Sequence, residues 1–456
     1  MIEYIPKFSK LPKQFVVLEI LWKRGTSSSA WTNALPSESV EVFPIFQERI
    51  YADLIRVQQK IQALRLIWDD ETRMDASTKN IIVYIPSSLL KEAPETIEHV
   101  LFRFISYLYP FKGRKIIFTH EDEEKYPLFD NILSMINTVQ HAKDLAIQPA
   151  NIATPMIMAK QIQTMFRKHS SDGIHSTLLT KPHLEKKKMG LILAIGNSSK
   201  NPPCMLKLTR PKKKHTSTSK TICLIGKGVT FDSGGLSLKP IDGMYDMKYD
   251  KIGAVYMAHV FQLLANDEAF HHHTLVAILP FAENAISDKA IHPGDVVTGY
   301  SGTRVEIADP DAEGRLLLAD AFAFAAEDKP DVLFDMATLT GHADSINCWH
   351  NGYAYCEPES LRFKFEKLTN KIGERMLTMP NWPEYRMALK SNIADLNNSP
   401  LDCSDAFTAA LFLREFLPET VKTWVHIDLA HEFDDHIPKG NGIRTLHALA
   451  HSLFSE

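Results

Sequence analysis

The sequence predicts an α/β protein in which a smaller N-terminal α/β domain precedes a larger α/β domain with a central, mostly parallel (mixed) sheet flanked by helices. Two observations support this prediction: 456 residues suffice for two or three domains, and short β-branched runs alternate with segments of helical periodicity. Several runs are apolar on both faces, which is typical of strands buried in parallel sheets. We expect the first domain over residues 1–140, a linker helix region over 141–160 and the second domain over 161–456.

The first domain is predicted from short apolar runs that alternate with helical spacing. Strands are expected over residues 15–21, 81–85 and 115–118, and helices over 48–66, 94–108 and 133–145. The last helix stops before Pro149, where the chain enters the second domain. No motif in the first domain has a chemistry that the residues themselves define.

The second domain repeats the alternation with longer apolar strands. Strands are expected over residues 191–195, 221–225, 275–279, 332–336 and 423–428, and helices over 250–264, 315–326 and 404–416. Ligand sites in such sheets lie beyond the carboxyl ends of the strands. Lys227 and Asp232 follow the strand that ends near Ile225, so they are expected at such an edge.

Composition restricts the class of partner and the location. The chain is 45% hydrophobic and 23% charged with a formal charge of −4, which gives no electrostatic reason to expect nucleic acid or an anionic membrane as a partner. Five cysteines without a CxxC pair indicate reduced thiols. The N-terminal 25 residues favour a buried strand over a signal peptide, and no apolar run has the length of a membrane span. A cytoplasmic location is expected.

Two features of the second domain invite a binding role but favour an ordinary one. The lysine clusters 186–188 and 212–214 have the composition of localisation or nucleic-acid motifs, although exposed loops beside buried strands are the favoured interpretation. The run 271–273 consists of three histidines between a predicted helix and a predicted strand. We expect an exposed turn there, with adventitious metal binding a lesser alternative.

Two glycine-rich acidic segments contain the residues needed for metal chemistry. Residues 226–235 have the sequence GKGVTFDSGG, and residues 311–315 have the sequence DAEGR. Asp232, Asp311 and Glu313 in these segments, and Asp250 between them, have carboxylate oxygens that can bind a hard cation. In an extended segment the side chains of Asp311 and Glu313 would point to the same side. A pair of divalent cations needs several carboxylates, at least one of them bridging, so the pattern predicts a two-metal hydrolase site.

Longer stretches around these residues resemble the leucyl aminopeptidase (cytosol aminopeptidase) family. The family pattern, roughly GKGxTFDSGGxSxKP, MKxD and NTDAEGR, is similar to residues 225–240, 247–250 and 311–315 of this chain. The similarity extends from about residue 140 to the C-terminus. It implies a metal-dependent aminopeptidase that removes N-terminal, preferably leucine-like residues from peptides with a free N-terminus, through a water activated by two metals.

The resemblance implies two divalent metal ions per subunit, zinc or manganese and in some members magnesium. Lys227, Asp232, Asp250 and Glu313 would hold one ion, and Asp232, Asp311 and Glu313 the other. A lysine can be a ligand only as the neutral amine, and burial beside two dications would lower its pKa. The alternative at Lys227 is an ion pair with a carboxylate.

Other residues match positions of the family that act on the substrate. Lys239 would stabilise the oxyanion formed at the peptide carbonyl, and Arg315 would hold a bicarbonate ion that acts as the general base. Met247, Thr338 and Gly341 would line the pocket for the first side chain. The alternatives are a surface salt bridge for Arg315 and plain core packing for Met247.

The chain departs from the family pattern before its last ligand motif. Asp309-Pro310 replaces Asn-Thr, which adds a carboxylate and removes a backbone N–H beside Asp311. His342 and His431 also replace small residues of the pattern. These departures support an alternative, a catalytically impaired member that acts as a scaffold or binding protein. The family also implies a homohexamer.

Overall fold

The computed structural model describes residues 127–167, 173–341, 352–400, 405–429, 432–434 and 436–454, together with five N-terminal strands. The chain divides into two compact units, Met1–Gln140 and His141–Glu456. In the first unit the strands form an all-parallel sheet in the order β1-β5-β4-β2-β3. They are β1 (Ile2–Tyr4), β2 (Val16–Lys23), β3 (Val40–Phe46), β4 (Asn80–Tyr84) and β5 (Lys115–Thr119).

The strands predicted for the first unit are present as β2, β4 and β5, while β1 and β3 were not predicted. The helices predicted over 48–66 and 94–108 lie outside the described residues. The predicted entry helix is present and longer than expected: α1 spans Pro127–Ala146. It crosses the boundary between the two units in sequence.

Helices of the second unit pack around a large sheet. They are α2 (Pro155–Arg167), α3 (Lys181–Lys186), α4 (Gly190–Gly196), α5 (Ile241–Met244), α6 (Ile252–Asn266), α7 (Gly314–Ala325), α8 (Glu359–Ile372), α9 (Asp405–Arg414) and α10 (Ile443–Phe454). Short 3₁₀ turns lie at Met247–Tyr249, Glu268–Phe270, Ala326–Asp328 and Pro383–Leu389. Helices α6 and α7 are buried along nearly their whole length, as expected for elements that cover an apolar sheet.

The sheet of the second unit is mixed, with a parallel centre. Its strands run in the order β15-β14-β17-β13-β8-β10-β7-β6, and β9 also pairs with β10. Their bounds are β6 (His175–Thr180), β7 (Cys204–Arg210), β8 (Thr221–Gly226), β9 (Gly228–Asp232), β10 (Thr274–Asn284), β13 (Val332–Ala337), β14 (Tyr353–Glu357), β15 (Leu377–Met379) and β17 (Thr423–Asp428). Strands β17, β13, β8 and β10 are mutually parallel neighbours. The fold class predicted from the sequence is therefore confirmed.

Small pairings lie outside this sheet. Strands β11 (Asp295–Thr298), β12 (Arg304–Ile307) and β16 (Leu396–Asn397) form a three-stranded sheet, and β18 (Phe433–Asp434) pairs with β19 (Ile437–Pro438). The central strands β8, β10, β13 and β17 lie where the sequence predicted them. The largely exposed edge strand β6 was not predicted, since it lacks the apolar signal on which the predictions depend.

The strand predicted over residues 191–195 is wrong, because this segment belongs to helix α4. Leu191 and Ile192 are fully buried, and a short run that is apolar on every side has no periodicity that separates helix from strand. The N–H groups of Leu191 and Ile192 donate to Asp320 Oδ2 at 2.9 and 3.0 Å. A carboxylate distant in the sequence thus satisfies the first turn, which no local pattern could predict.

The remaining sequence expectations have mixed outcomes. Lys212–Lys214 lie in an exposed loop as expected, whereas Lys186 ends helix α3. The turn at 271–273 is present, but the expected exposure is wrong: His271 and His272 are half-buried, and His273 is buried with its Nδ1 accepting a hydrogen bond from the Lys220 N–H. Cys204, Cys223 and Cys356 are buried free thiols. In the part of the chain that is described, no helix is long and apolar enough to cross a membrane.

Candidate metal centre

The predicted ligands gather where two central parallel strands end. Lys227 directly follows β8, and Thr338 directly follows its neighbour β13. The Lys227 N–H donates to the Met336 carbonyl at 3.0 Å, which extends the pairing of the two strands by one residue. Asp232 ends β9, which pairs with β10 on the other side. The site therefore lies at the carboxyl edge of the sheet, as open α/β sheets require.

Two further predicted ligands lie at the N-terminal ends of helices. Asp250 immediately precedes the turn that opens α6, and Glu313 is the N-cap residue of α7. Arg315 occupies the first turn of α7 and is buried. The free N–H groups at a helix start give a positive potential, so they favour carboxylates placed there.

Lys227 is the centre of a deeply buried ion cluster. Its Nζ lies 2.7 Å from Asp250 Oδ1 and 2.9 Å from Glu313 Oε1, and it donates to the Thr338 carbonyl at 2.7 Å. The side chains of Lys227, Asp250 and Glu313 are only 4%, 5% and 1% exposed. The ion pair that was the alternative interpretation of Lys227 is thus the arrangement in this structure.

Lys239 forms a second and shallower ion cluster beside the first. Its Nζ lies 3.0 Å from Asp232 Oδ2 and 2.6 Å from Asp311 Oδ1. The side chains of Lys239 and Asp311 are 17% and 29% exposed, so this cluster opens towards solvent. The structure therefore brings all five predicted ligands and Lys239 into two adjoining groups that share one acidic cluster.

Asp232 is oriented by the loop that follows it and by the last residue of strand β10. Its Oδ1 accepts hydrogen bonds from the Gly234 N–H at 2.9 Å and from Asn284 Nδ2 at 2.8 Å, which leaves Oδ2 directed towards Lys239. Gly234 and Gly235 have φ values of +82° and +61°, a region that side chains other than glycine rarely adopt. The two glycines thus provide the backbone conformation that folds the acidic loop over its own carboxylate.

Gly314 allows Lys227 to cross the start of helix α7. A Cβ at position 314 would lie 2.5 Å from Lys227 Cε and 2.7 Å from Lys227 Nζ. Any larger residue would displace the lysine from Asp250 and Glu313. The glycine in the DAEGR segment is therefore explained by close packing rather than by its φ angle.

Crowding of like charge alters the protonation of the cluster. Burial and the neighbouring carboxylates raise the pKa of Asp250 and of Glu313, against the opposing effect of Lys227. Burial and Asp232 raise the pKa of Asp311 to about 7, although Lys239 opposes this. Burial lowers the pKa of Lys227, but Asp250, Glu313 and Asp232 outweigh it and the net shift is upward. Additional positive charge would relieve the repulsion between these carboxylates.

The donor set fits a divalent cation. Oxygen atoms of Asp232, Asp250 and Glu313 lie within 4.8 Å of one another, and all three residues are buried. Asp250 Oδ2 is buried and makes no hydrogen bond among the described residues, which is unusual for a carboxylate oxygen. Carboxylates are ligands for zinc, manganese and magnesium alike, so the set does not distinguish these ions.

Arg315 is buried, which contradicts the alternative of a surface salt bridge. Its Nη1 donates to the Asn398 carbonyl at 2.7 Å. The Asn398 side chain accepts from the Ala308 N–H at 2.8 Å and donates to the Asp309 carbonyl at 2.7 Å. Asn398 therefore ties the guanidinium to the loop that presents the last two acidic residues. No pattern in the sequence pointed to Asn398.

The three predicted pocket residues lie in segments that border the ion clusters. Met247 is half-buried in the turn before Asp250, so it is not plain core. Thr338 is also half-buried, and its Oγ1 donates to Asp250 Oδ1 at 2.7 Å. Gly341 is exposed, and a Cβ there would meet no atom within 4 Å. Thr338 thus has a direct contact with a predicted ligand.

Comparison with known proteins identifies the family. The model of the catalytic domain of the cytosol aminopeptidase family matches residues 140–447. The chain is a member of this family. A relative named probable cytosol aminopeptidase from Buchnera aphidicola (subsp. Schizaphis graminum) is 36% identical over 298 residues, which are 65% of this chain and 58% of the relative. The match therefore leaves more than a third of that relative uncovered, since it includes only 58% of its length.

Solved structures of other proteins have the same fold as this chain. The leucyl aminopeptidase from Leishmania major, in complex with actinonin, has a TM-score of 0.81 at 20% identity, covering 98% of this chain and 94% of that chain. The bottromycin maturation enzyme BotP, in complex with Mn, has a TM-score of 0.79 at 24% identity, covering 97% and 99%. At these identities the similarity concerns the fold.

Asp309 and Pro310, which depart from the family pattern, connect to two predicted ligands, one directly and the other through Asn284. Asp309 Oδ1 accepts a hydrogen bond from the Asp311 N–H at 2.9 Å, so it fixes the turn that presents Asp311. The Pro310 carbonyl accepts from Asn284 Nδ2 at 3.1 Å, and the same amide group orients Asp232. His342 and His431, the other departures, lie outside the described residues.

We expect the double substitution Asp309→Asn with Pro310→Thr to change the metal dependence or the rate by about tenfold, because both residues position ligands from outside the ligand set. The measurement is kcat/KM on a leucyl substrate across a titration of manganese and zinc. Asp309→Asn alone is the matched control, since an asparagine oxygen can still accept from the Asp311 N–H. Identical kinetics and metal dependence in the double variant would contradict the prediction.

Asp428 was not singled out from the sequence, yet it orders the segment that follows β13. Its Oδ1 accepts from the Leu339 N–H at 2.8 Å and the Thr340 N–H at 3.3 Å, and its Oδ2 accepts from Thr340 Oγ1 at 2.6 Å. The same segment supplies the Thr338 carbonyl to Lys227. Its position at the carboxyl end of a parallel strand was the available signal.

We expect Asp428→Ala to lower the free energy of unfolding by about 3 kcal/mol, because it leaves buried N–H groups without an acceptor. It should also weaken metal binding through Thr338. Urea unfolding and metal titration provide the two measurements. Asp428→Asn is the control, since its amide oxygen still accepts from both N–H groups, and equal stability of the two variants would show that these hydrogen bonds contribute little.

Proposed function

We propose that this chain is a metal-dependent aminopeptidase that hydrolyses the first peptide bond of peptides with a free N-terminus. One observation carries the proposal: Lys227, Asp232, Asp250 and Glu313 converge in a buried cluster at the carboxyl edge of the sheet, with Lys239 and Asp311 beside it. Structural ion pairs also form buried networks, but a single salt bridge does not require four carboxylates. Membership of the cytosol aminopeptidase family supports the same proposal.

The residues would hold two divalent cations. Lys227, Asp232, Asp250 and Glu313 are proposed for one and Asp232, Asp311 and Glu313 for the other, with zinc, manganese or magnesium as the ions. In the structure Asp250 lies on Lys227 and Asp311 lies on Lys239, so the carboxylates that belong to only one proposed set are separated between the two ion clusters. Bound cations would polarise the peptide carbonyl and activate a water. The manganese complex of the structurally similar maturation enzyme is consistent with such a site.

The chain's own residues would orient the substrate and stabilise charge. Lys239, on the open side of the cluster, would donate a hydrogen bond to the oxyanion that forms at the peptide carbonyl. Asp250 would accept a proton from the free α-amine, which restricts the reaction to chain ends. Met247, Thr338 and Gly341 would line the pocket for the first side chain, where an adaptable methionine suits leucine-like groups.

Arg315 is proposed to hold a bicarbonate ion that acts as the general base. A buried guanidinium within the first turn of a helix suits a planar anion, because its N–H groups form a fixed fork and the helix start adds positive potential. The hydrogen bond from Nη1 to the Asn398 carbonyl fixes the plane of this fork. Arg315→Lys should therefore lose affinity for the anion although it keeps the charge.

The proposal is tested by hydrolysis of leucine-p-nitroanilide with manganese or zinc, with and without a chelator. Nα-acetyl-leucine-p-nitroanilide is the matched control, because it lacks the free amine. Metal-dependent turnover of the first compound and none of the second is the expected result. Folded protein that turns over no N-terminal residue with any metal would favour the scaffold or binding protein, an alternative to which Asp309-Pro310 also points.

We propose a homohexamer located in the cytoplasm, with the aminopeptidase site in residues 161–456, a linker over 141–160 and a separate domain over 1–140. Exposed apolar side chains near the site, including Leu238, Ile241 and Tyr245, support association of subunits, because isolated chains rarely expose such groups together. Solution scattering should give six times the 51.6 kDa mass of one chain. A particle of monomer mass would contradict the assembly without affecting the proposed chemistry.

A further inference from the structure

A second group of potential ligands lies at the far end of helix α6. Asp267 directly follows this helix, and its Oδ2 lies 2.6 Å from His451 Nε2 and 3.8 Å from His447 Nε2. The two histidines are one turn apart on α10, so both face the same side of that helix. One ligand atom from each of the three residues lies within 4.8 Å of the others.

The carboxylate of Asp267 is held so that one oxygen faces the imidazoles. Its Oδ1 accepts a hydrogen bond from the Ala269 N–H at 2.9 Å, which caps the 3₁₀ turn after α6. The two histidines lower the pKa of Asp267, so the group is a carboxylate at neutral pH. The ring of His451 packs edge-on against Phe270, with centroids 5.0 Å apart. The backbone and an aromatic ring thus fix the directions of two of the three groups.

A simple hydrogen-bonded staple between the helices accounts for only part of this geometry. His451 satisfies Asp267 Oδ2 at 2.6 Å, but a separation of 3.8 Å is too long for a hydrogen bond from His447. His447 nevertheless directs Nε2 towards the same oxygen, with the two imidazole centroids 4.7 Å apart. The staple therefore leaves the His447 nitrogen unused, whereas an ion between the three ligand atoms would use that nitrogen and would replace the hydrogen bond from His451.

We propose that Asp267, His447 and His451 bind a zinc ion that is separate from the proposed catalytic pair. Two imidazoles and one carboxylate are ligands that zinc prefers, whereas magnesium and calcium take oxygen ligands. The three side chains are 22–34% exposed, so water can complete a tetrahedral shell. Nothing in the proposed aminopeptidase chemistry uses these residues.

The two sites lie at opposite ends of one helix. Helix α6 starts two residues after Asp250 and ends directly before Asp267. Its 15 residues span about 22 Å at the usual rise, so the second ion would be remote from the reacting bond. Bound zinc would pin the C-terminal helix α10 to the end of α6 and would stabilise the folded chain wherever zinc exceeds its dissociation constant.

The test counts zinc bound per chain after equilibration with zinc and gel filtration, by elemental analysis. Wild type, His447→Ala and Asp267→Asn are compared, with His292→Ala as the matched control because His292 is an exposed histidine elsewhere on the second unit. We expect both site variants to lose one zinc equivalent and the control to lose none. Zinc should also raise the unfolding temperature of the control more than that of His447→Ala.

The difference between the variants tests this site whether or not the proposed catalytic pair binds zinc, so the two proposals fail separately. Equal zinc content in wild type and His447→Ala, with circular dichroism showing both folded, would overturn the inference. Asp267→Asn alters the residue that caps the turn at Ala269, and His447→Ala is the milder change because His447 lies 3.8 Å from Asp267, farther than His451 at 2.6 Å. Anomalous scattering from zinc-soaked crystals gives an independent position for the ion, and no peak between Asp267 and α10 would also overturn it.

Discussion

Replacing Lys239 by alanine is expected to lower kcat about 100- to 1,000-fold, with smaller changes in KM and in metal content. Lys239 places an ammonium on the open side of the acidic cluster, 2.6 Å from Asp311 Oδ1. A donor at this position would strengthen its interaction as negative charge develops on the substrate carbonyl, so its loss acts mainly on the transition state. Steady-state kinetics on leucine-p-nitroanilide, with metal content measured in parallel, provide the test.

Lys289→Ala is the matched control, because Lys289 is an exposed lysine and no described ion pair joins it to the carboxylates of the cluster. Added methylammonium should restore part of the activity of Lys239→Ala if the missing group is the ammonium itself. Full activity in Lys239→Ala would rule out the oxyanion role. Full activity together with tighter metal binding would instead assign Lys239 to charge balance beside Asp232 and Asp311, because its loss leaves those carboxylates free to bind a cation.

Replacing Glu313 by glutamine is expected to weaken metal binding by more than about 100-fold and to abolish turnover at ordinary metal concentrations. Substitution of groups that merely orient ligands costs about 10- to 100-fold in affinity, and Glu313 is proposed as a ligand shared by both ions. Glutamine keeps the shape and an oxygen for Lys227, so the fold should persist. Calorimetric titration with manganese, together with thermal unfolding, separates loss of binding from loss of structure.

Glu306→Gln is the control for this variant, because Glu306 lies on the neighbouring strand β12 and accepts a hydrogen bond from Ser391. It should bind metal like the wild-type chain. Retention of wild-type affinity in Glu313→Gln would show that Glu313 serves as the counterion of Lys227 alone. Removing the negative charge of Glu313 should also lower the pKa of Asp250, because both carboxylates contact the Lys227 ammonium and repel each other there.

The parallel centre of the large sheet could be predicted because its strands are apolar on both faces. The place of the acidic residues followed from the rule that sites lie beyond the carboxyl ends of such strands. Helix α4 could not be told from a strand, because total burial removes the periodicity that distinguishes them. The sequence around Leu191 does not indicate that Asp320, a residue of helix α7, accepts hydrogen bonds from the first turn of α4.

The supporting residues of the candidate site were harder to predict than its proposed ligands. Lys227, Asp232 and Glu313 stand in recognisable segments, whereas Asn284 and Asn398 act through hydrogen bonds to groups far away in the sequence. Asn284 ends strand β10 and Asn398 follows strand β16, and nothing in the local sequence of either one indicates a bond to a distant segment. Which partner each side chain finds depends on the tertiary fold.

The candidate site depends on Asn398 and Asp428, which are synthesised long after its acidic residues. All five proposed metal ligands have been synthesised once Glu313 has left the ribosome. Asn398, which holds the loop before Asp311, and Asp428, which holds the segment after Thr338, are made later. The growing chain therefore presents a full set of acidic side chains that it cannot yet arrange. A chain truncated before Asn398 would therefore retain every proposed ligand but would lack the hydrogen bonds from Asn398 and Asp428 that position the two segments.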